Sequence, residues 1–114
     1  MTTDIIKIAG KEVNIAYCYA TEITFTKYSG TPLDNLDANN PEHLLYLILS
    51  GIMSYYISKG LEPPIKDEDL MYNAEAQEII DALNAIMKLK VEWYKLPTGE
   101  PTEEVKEEDA KKNA

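Results

Sequence analysis

Arginine is absent from this sequence, and its eleven basic residues are all lysine. They stand against twenty acidic residues, which gives the chain a net charge of −9 at pH 7. A surface that binds nucleic acid needs clustered lysine and arginine, and no such cluster occurs outside a mixed-charge tail. The bidentate guanidinium that suits other anions is missing as well. We therefore expect no nucleic-acid partner.

Cysteine and histidine occur once each, which limits the chemistry that one chain can perform. Cys18 can form neither an intramolecular disulfide nor a cysteine-based metal site within the chain. We interpret it as a small buried hydrophobe. His43 has no companion cluster of polar residues, so we interpret it as a solvent-facing residue in the first turn of a helix.

The common catalytic and ligand-binding motifs are also missing. The sequence has no glycine-rich phosphate loop, no Gly-x-Ser-x-Gly elbow and no His-Glu-x-x-His. Two acidic groups, Asp34 with Asp37 and Asp67 with Glu68 and Asp69, lack the spacing of a calcium-binding loop and suit turns and helix caps better. The sequence therefore predicts a protein that is not an enzyme and that has no cofactor and no metal site.

Long hydrophobic segments are lacking too. The first residues have neither the basic segment nor the apolar run of a signal peptide. The 14 apolar and small residues from Leu44 to Ile57 are too few for a membrane span, which needs about 20. Together with the lone cysteine, these features predict a soluble intracellular protein with no membrane partner.

Alternating residues near the N-terminus predict a β-hairpin. Apolar side chains recur at every second position on both sides of Gly10, which can adopt the positive φ of a tight turn; they are Ile6, Ile8, Val13, Ile15 and Tyr17. Because an isolated hairpin is marginally stable, we expect its apolar face to pack on helices.

The segment from Pro41 to Ser58 predicts a buried central helix. Asn40 can cap it, Pro41 suits the first helical position, and Gly60 can end it. The helix is apolar over most of its circumference, so other elements must surround it. Its narrow polar stripe consists of small residues that allow another backbone to approach; they are Ser50, Ser54 and Ser58, with Gly51 beside them.

Residues 18–29 fit two structures. A strand would place Tyr19, Thr21, Ile23 and Phe25 on one face. A helix is favoured, because Gly30 and Pro32 follow at the positions that end helices. Its face would consist of Ala16, Tyr19, Ala20, Ile23 and Lys27.

The last part of the chain predicts a short helical turn, a long helix and a tail. The turn covers Asp67 to Tyr72, and the helix runs from Asn73 to about Lys95. Its single apolar face is expected to contain Ala76, Ile79, Ile80, Leu83, Ile86, Met87, Val91 and Tyr94. Residues 98–114 form a charged tail that we expect to be disordered.

These elements predict an α+β fold that is mainly helical. An N-terminal β-hairpin packs on a small bundle of about three helices, within a single globular domain at residues 1–97 that a disordered, charged C-terminal tail at 98–114 follows. We expect the core to include Leu45, Leu49, Ile52, Tyr56, Ile79, Leu83 and Ile86.

Eight tyrosines, one tryptophan and four methionines indicate a surface for protein binding. We expect an apolar, aromatic groove for a helical partner. The residues expected to bind the partner lie toward the C-terminal halves of the two long helices; they are Tyr55, Tyr56, Met87, Trp93 and Tyr94. The alternative is that these side chains fill the rim of the core, and a homo-oligomer would also cover part of them.

The order of these elements resembles the small tail assembly chaperones of long-tailed bacteriophages and prophages. The resemblance covers residues 5 to about 96, and its clearest phrases are the turn from Gly10 to Glu12 and the segment from Ser29 to Leu33. It implies a non-enzymatic protein of the bacterial host cytoplasm, absent from the mature virion, that binds the helical tape measure protein and recruits tail tube protein subunits. The alternatives are a small intracellular adaptor or regulatory protein-binding module unrelated to phage tails, and a small-molecule-binding or enzymatic role.

Overall fold

The structure, a computed structural model, describes residues 1–95, and the predicted domain end at residue 97 and the predicted tail at 98–114 lie outside this range. Within residues 1–95, two strands and four helices follow one another, with a single 3-10 turn at Leu33–Asn35. The strands are β1 (Thr2–Ile8) and β2 (Lys11–Tyr17). The helices are α1 (Tyr19–Ser29), α2 (Pro41–Ser58), α3 (Asp67–Asn73) and α4 (Ala76–Lys95). The predicted α+β, mainly helical fold is confirmed.

The hairpin forms as the alternating pattern predicts. β1 and β2 pair antiparallel, with Ile6 opposite Val13 and Ile8 opposite Lys11. The two-residue turn between them has positive φ at both Ala9 (53°) and Gly10 (77°), which matches the right-handed twist of the strands. The alternating apolar residues of the two strands are buried against the helices, whereas Ile5 is exposed; the buried ones are Ile6, Ile8, Val13, Ile15 and Tyr17.

Residues 19–29 form a helix, which confirms the favoured interpretation. Gly30 ends it with a φ of 79°, and its N–H donates to the carbonyl of Thr26 at 2.8 Å. The predicted face was wrong, because Thr21 and Phe25 point into the core whereas Tyr19 and Ile23 are exposed. Polar contacts of Thr21 decide this orientation.

The hydroxyl of Thr21 joins α1 to two other elements. It donates to the carbonyl of Ala16 in β2 at 3.2 Å and lies 2.7 Å from the hydroxyl of Ser54 in α2. It also accepts a hydrogen bond from the backbone N–H of Cys18 at 3.2 Å. Because a buried hydroxyl needs such partners, Thr21 sets the rotation of α1 about its axis.

Helix α2 begins at the predicted cap and is buried along its middle. The N–H of Glu42 donates to the side-chain oxygen of Asn40 at 2.9 Å. Ser50 and Ser54 are buried and donate back to carbonyl oxygens one turn earlier, at 2.6 and 2.7 Å. A Cβ atom at Gly51 would lie 3.1 Å from the side chain of Ile86, so the small-residue stripe allows α4 to approach closely. Within residues 1–95, no helix is long and apolar enough to cross a bilayer.

Helix α4 begins at Ala76 instead of Asn73. The chain becomes extended at Ala74, where ψ is 137°, and this separates α3 from α4. Two hydrogen bonds fix α4 along β1, one from the Thr2 hydroxyl to the carbonyl of Leu89 (2.8 Å) and one from the N–H of Ala9 to Glu78 (3.0 Å). The helix therefore runs antiparallel to β1.

The core combines the hairpin with α1, α2 and α4. Of the seven predicted core residues, Leu49, Ile52 and Ile86 are buried. The other four are partly buried and pack on the margin of the core; they are Leu45, Tyr56, Ile79 and Leu83. The centre also contains large residues from five further segments that the prediction did not include, among them Ile8, Tyr17, Phe25, Ile65 and Leu70.

Candidate binding surface

Helix α4 has two apolar faces, whereas the sequence predicted one. Ala82, Ile86 and Leu89 are buried against the hairpin and α2, and Ile79 and Leu83 are partly buried beside them. Another part of the predicted face lies in solvent, with each side chain between 44% and 53% exposed. We call these residues the outer stripe; they are Ile80, Met87, Val91 and Tyr94.

The outer stripe has the spacing of a helix-pairing seam. Together with Asn84, which is also exposed, its members follow one another by alternating steps of four and three residues. This average period of 3.5 is the repeat that keeps one line of side chains facing a second helix. Apart from Asn84, the exposed side chains along this line are apolar or aromatic, so they are grouped on one side of α4 instead of being scattered singly.

Charged residues lie on both sides of the outer stripe. Asp81, Lys88 and Lys95 each come one position after a stripe residue, on one flank of α4. Lys90 lies on the other flank, with its ammonium 3.8 Å from the carboxylate of Asp34. The C-terminal half of the stripe is therefore bordered by lysines on both sides, although the chain as a whole carries a net charge of −9.

A carboxylate between two tyrosines holds the end of α4. Tyr17, fully buried in β2, donates its hydroxyl to Glu22 at 2.6 Å, and Tyr94 donates to the same carboxylate oxygen. Burial raises the pKa of both phenols, and the hydrogen bond to the negative Glu22 raises them further. The end of α4 is therefore fixed to α1 by a hydrogen-bond acceptor that the two tyrosines share.

A cleft of about 350 Å³ opens beside this contact, between α1, the 3-10 turn and α4. Its lining is mixed in charge and consists of Glu22, Thr26, Pro32, Leu33, Asp34, Lys90 and Tyr94. Among residues 1–95, no group of three or more histidine, cysteine or acidic side chains is arranged to hold a metal ion.

His43 is placed differently from the prediction. Instead of facing solvent, it is partly buried, and its Nδ1 atom accepts a hydrogen bond from the backbone N–H of Asp37 at 3.0 Å. Its ring packs edge-on against Phe25, with 5.8 Å between the ring centres. These contacts give the histidine a structural role at the start of α2. Cys18 is also partly buried, directly before α1.

The five predicted binding residues occupy different parts of the surface. Met87 and Tyr94 belong to the outer stripe. Trp93 is partly buried and meets the ring of Tyr19 edge-on at 5.5 Å. Tyr55 and Tyr56 form a separate ring pair on α2, with centres 4.9 Å apart.

The α2 pair is held by contacts of its own. The Tyr56 hydroxyl accepts a hydrogen bond from the N–H of Asn14 in β2 at 3.1 Å. The Lys59 ammonium lies 5.1 Å from the centre of the Tyr55 ring, which is a cation–π distance. For these two tyrosines, as for Met87, Trp93 and Tyr94, a role in binding stays a prediction.

Two members of the outer stripe, Ile80 and Val91, were placed on the single apolar face of the helix from the sequence, but not among the residues expected to bind a partner. The signal that distinguishes them was present, because the stripe repeats every 3.5 residues. The sequence alone could not distinguish the stripe residues from the buried ones, because the position of the hairpin on α4 decides which side of the helix is covered.

No protein family model, curated protein or solved structure matches this chain.

Proposed function

We propose that this protein is a non-enzymatic phage tail assembly chaperone that binds the tape measure protein in the host cytoplasm, recruits tail tube subunits and is absent from the mature virion. The proposal combines the resemblance in segment order with one observation, the outer stripe of α4. A chaperone for a long helical protein needs a surface that receives the apolar side of a helix, and the stripe has the spacing for this task.

The proposed occupant is an amphipathic helix of the tape measure protein. Its apolar residues pack along Met87, Val91 and Tyr94, which are exposed and in line. Because Lys88 and Lys90 border this half of the stripe, the partner helix carries acidic residues beside its apolar ones. Burial of a few apolar side chains supplies the affinity, and the lysines select the partner and its direction.

Co-expression with the tape measure protein of the same phage genome tests the proposal. The variants Met87→Ala and Val91→Asp change exposed side chains, so they leave the fold intact. We expect each to reduce solubilisation of the tape measure protein, since loss of a binding hot spot of 2 kcal/mol or more lowers affinity by about thirtyfold. Glu92→Ala is the matched control, because Glu92 is exposed on α4 but lies outside the stripe.

Three outcomes are informative. Reduced solubilisation by the stripe variants, with unchanged solubilisation by Glu92→Ala, supports the proposal. Equal solubilisation by all variants overturns the role of the stripe. A parallel test of Tyr55→Ala decides whether the α2 ring pair belongs to the same binding surface. If the two proteins do not co-purify at all, the chaperone function itself is wrong.

A further inference from the structure

We propose that, without its partner, this protein forms a homodimer through antiparallel pairing of the α4 helices. This dimer rests on the same outer stripe as the proposed function, and it is the state of the partner-free protein in which that stripe is covered. The occupant is a second copy of the chain, and the pattern of charges beside the stripe determines which of the conceivable pairings forms.

One antiparallel register satisfies both the apolar and the charged residues. In it, Ile80 lies opposite Val91 of the second copy, and Met87 lies opposite Asn84 of the second copy. Asp81 then comes beside Lys88 of the second copy, and the symmetry of the dimer forms this ion pair twice. The side chains of Ile80, Asp81, Asn84, Met87, Lys88 and Val91 are all exposed in the monomer and therefore accessible for this pairing.

Two other arrangements bring like charges together. If the second helix slides by one heptad toward the C-terminus, Asp81 lies beside Lys95 of the second copy. In this register, however, Lys88 faces Lys88 of the second copy, Lys90 faces its own counterpart, and Ile80 loses its apolar partner. A parallel pair places Lys90 beside Lys95 of the second copy, again with two positive charges. The order of charges on α4 therefore favours the first register, because its charged pairs across the seam are all attractive.

Asn84 weakens the dimer enough for a partner helix to replace the second copy. A polar residue in a helix seam fixes the register at a cost in stability, and here it occurs in both central layers of the pairing. A partner helix with an apolar residue at that position would pack better and displace the second copy. The dimer thus protects the apolar stripe until the partner arrives, without competing strongly with it.

Charge reversal tests this pairing. Asp81→Lys places two lysines together at both ion pairs, and Lys88→Glu places two acidic residues there, so each variant alone is expected to dimerise about tenfold more weakly than the wild type. A mixture of the two variants forms attractive pairs at both places, because Lys at 81 meets Glu at 88 and Asp81 meets Lys88. We therefore expect the mixture to dimerise again. Glu92→Lys, a reversal outside the stripe, is the control and is expected to dimerise as the wild type does.

Sedimentation equilibrium of the purified full chain measures these states, and circular dichroism confirms that each variant is folded. Weakened dimers for the two single variants, with recovery in the mixture, support the register. A monomeric wild type at all concentrations, or a mixture that behaves like its components, overturns it. The measurement contains no tape measure protein, so its failure leaves the proposed function unaffected, and failure of co-purification leaves the dimer unaffected.

Discussion

The hydroxyl of Tyr56 in α2 accepts a hydrogen bond from the backbone N–H of Asn14 in β2, at 3.1 Å. In this hairpin register the N–H of Asn14 points away from β1, toward the outer edge of the sheet. An edge with free backbone groups is a site for unwanted strand pairing. The tyrosine therefore links the central helix to the hairpin and occupies a backbone donor at the edge.

Substitution of Tyr56 by phenylalanine tests this contact. It removes the hydroxyl and leaves the ring in place, so the N–H of Asn14 loses its acceptor. We expect the free energy of unfolding to fall by about 1 kcal/mol, the usual net value of one hydrogen bond. Urea unfolding measures it, and Tyr72→Phe, at a tyrosine that is 79% exposed, is the control. Equal midpoints for the two variants would show that the contact does not contribute.

The buried hydroxyl of Thr21 is expected to contribute more to the free energy of unfolding than an exposed hydroxyl in the same helix. Thr21→Val keeps the shape of the side chain but leaves Ser54 and the carbonyl of Ala16 without this partner. We expect a loss of about 1–3 kcal/mol, because the groups left behind are desolvated. Thr26→Val, at an exposed position whose hydroxyl bonds to the Glu22 carbonyl, should cost much less. Thermal unfolding of both variants compares them, and a larger loss for Thr26→Val would contradict the assigned orientation of α1.

Two leucines that the sequence placed together in the core should respond differently to truncation. Leu49 is 6% exposed, whereas Leu83 is only partly buried on the margin of the core. Leu49→Ala is expected to lower the free energy of unfolding by about 2–5 kcal/mol, the range for a buried leucine. Leu83→Ala should cost clearly less, because water already reaches part of its side chain. Chemical unfolding at equilibrium gives both values, and the reverse order would contradict the packing of α4.

The stability of the protein should fall as pH rises above 10. The pKa of Tyr17 is raised above its ordinary value of 10.0, chiefly by burial and then by the hydrogen bond to Glu22. Above pH 10, the unfolded chain therefore releases this proton while the folded chain keeps it. The unfolded state then binds fewer protons, so the free energy of unfolding decreases with pH, whereas the full contribution is present below pH 10.

Tyr17→Phe separates the effect of Tyr17 on stability from that of the lysines and other tyrosines, which also titrate near pH 10. Its unfolding free energy should decrease less steeply across pH 10 than that of the wild type. In the folded wild type, phenolate absorbance should also show tyrosine that does not ionise until the protein unfolds. The same slope for the two proteins would mean that Tyr17 ionises freely in the folded state.

The sequence by itself determined the elements whose signals are local. The turn at Gly10 needs a positive φ, and the cap at Asn40 needs a short side chain that accepts a backbone N–H, so the hairpin and the start of α2 could be predicted from neighbouring residues. The apolar circumference of α2 also identified it as the central helix, because a helix that is apolar on most sides must be surrounded by other elements.

Tertiary structure decided which face of α1 and α4 became the core. Helix α1 buries Thr21 and exposes Ile23, because Ser54 and Ala16 supply the hydrogen bonds that a buried hydroxyl requires. On α4, the hairpin and α2 cover Ile86 and leave Met87 in solvent. A helix presents only part of its circumference to the core, so a wide apolar face cannot all be buried by one packing contact. Which part remains free for a partner depends on elements that are distant in sequence.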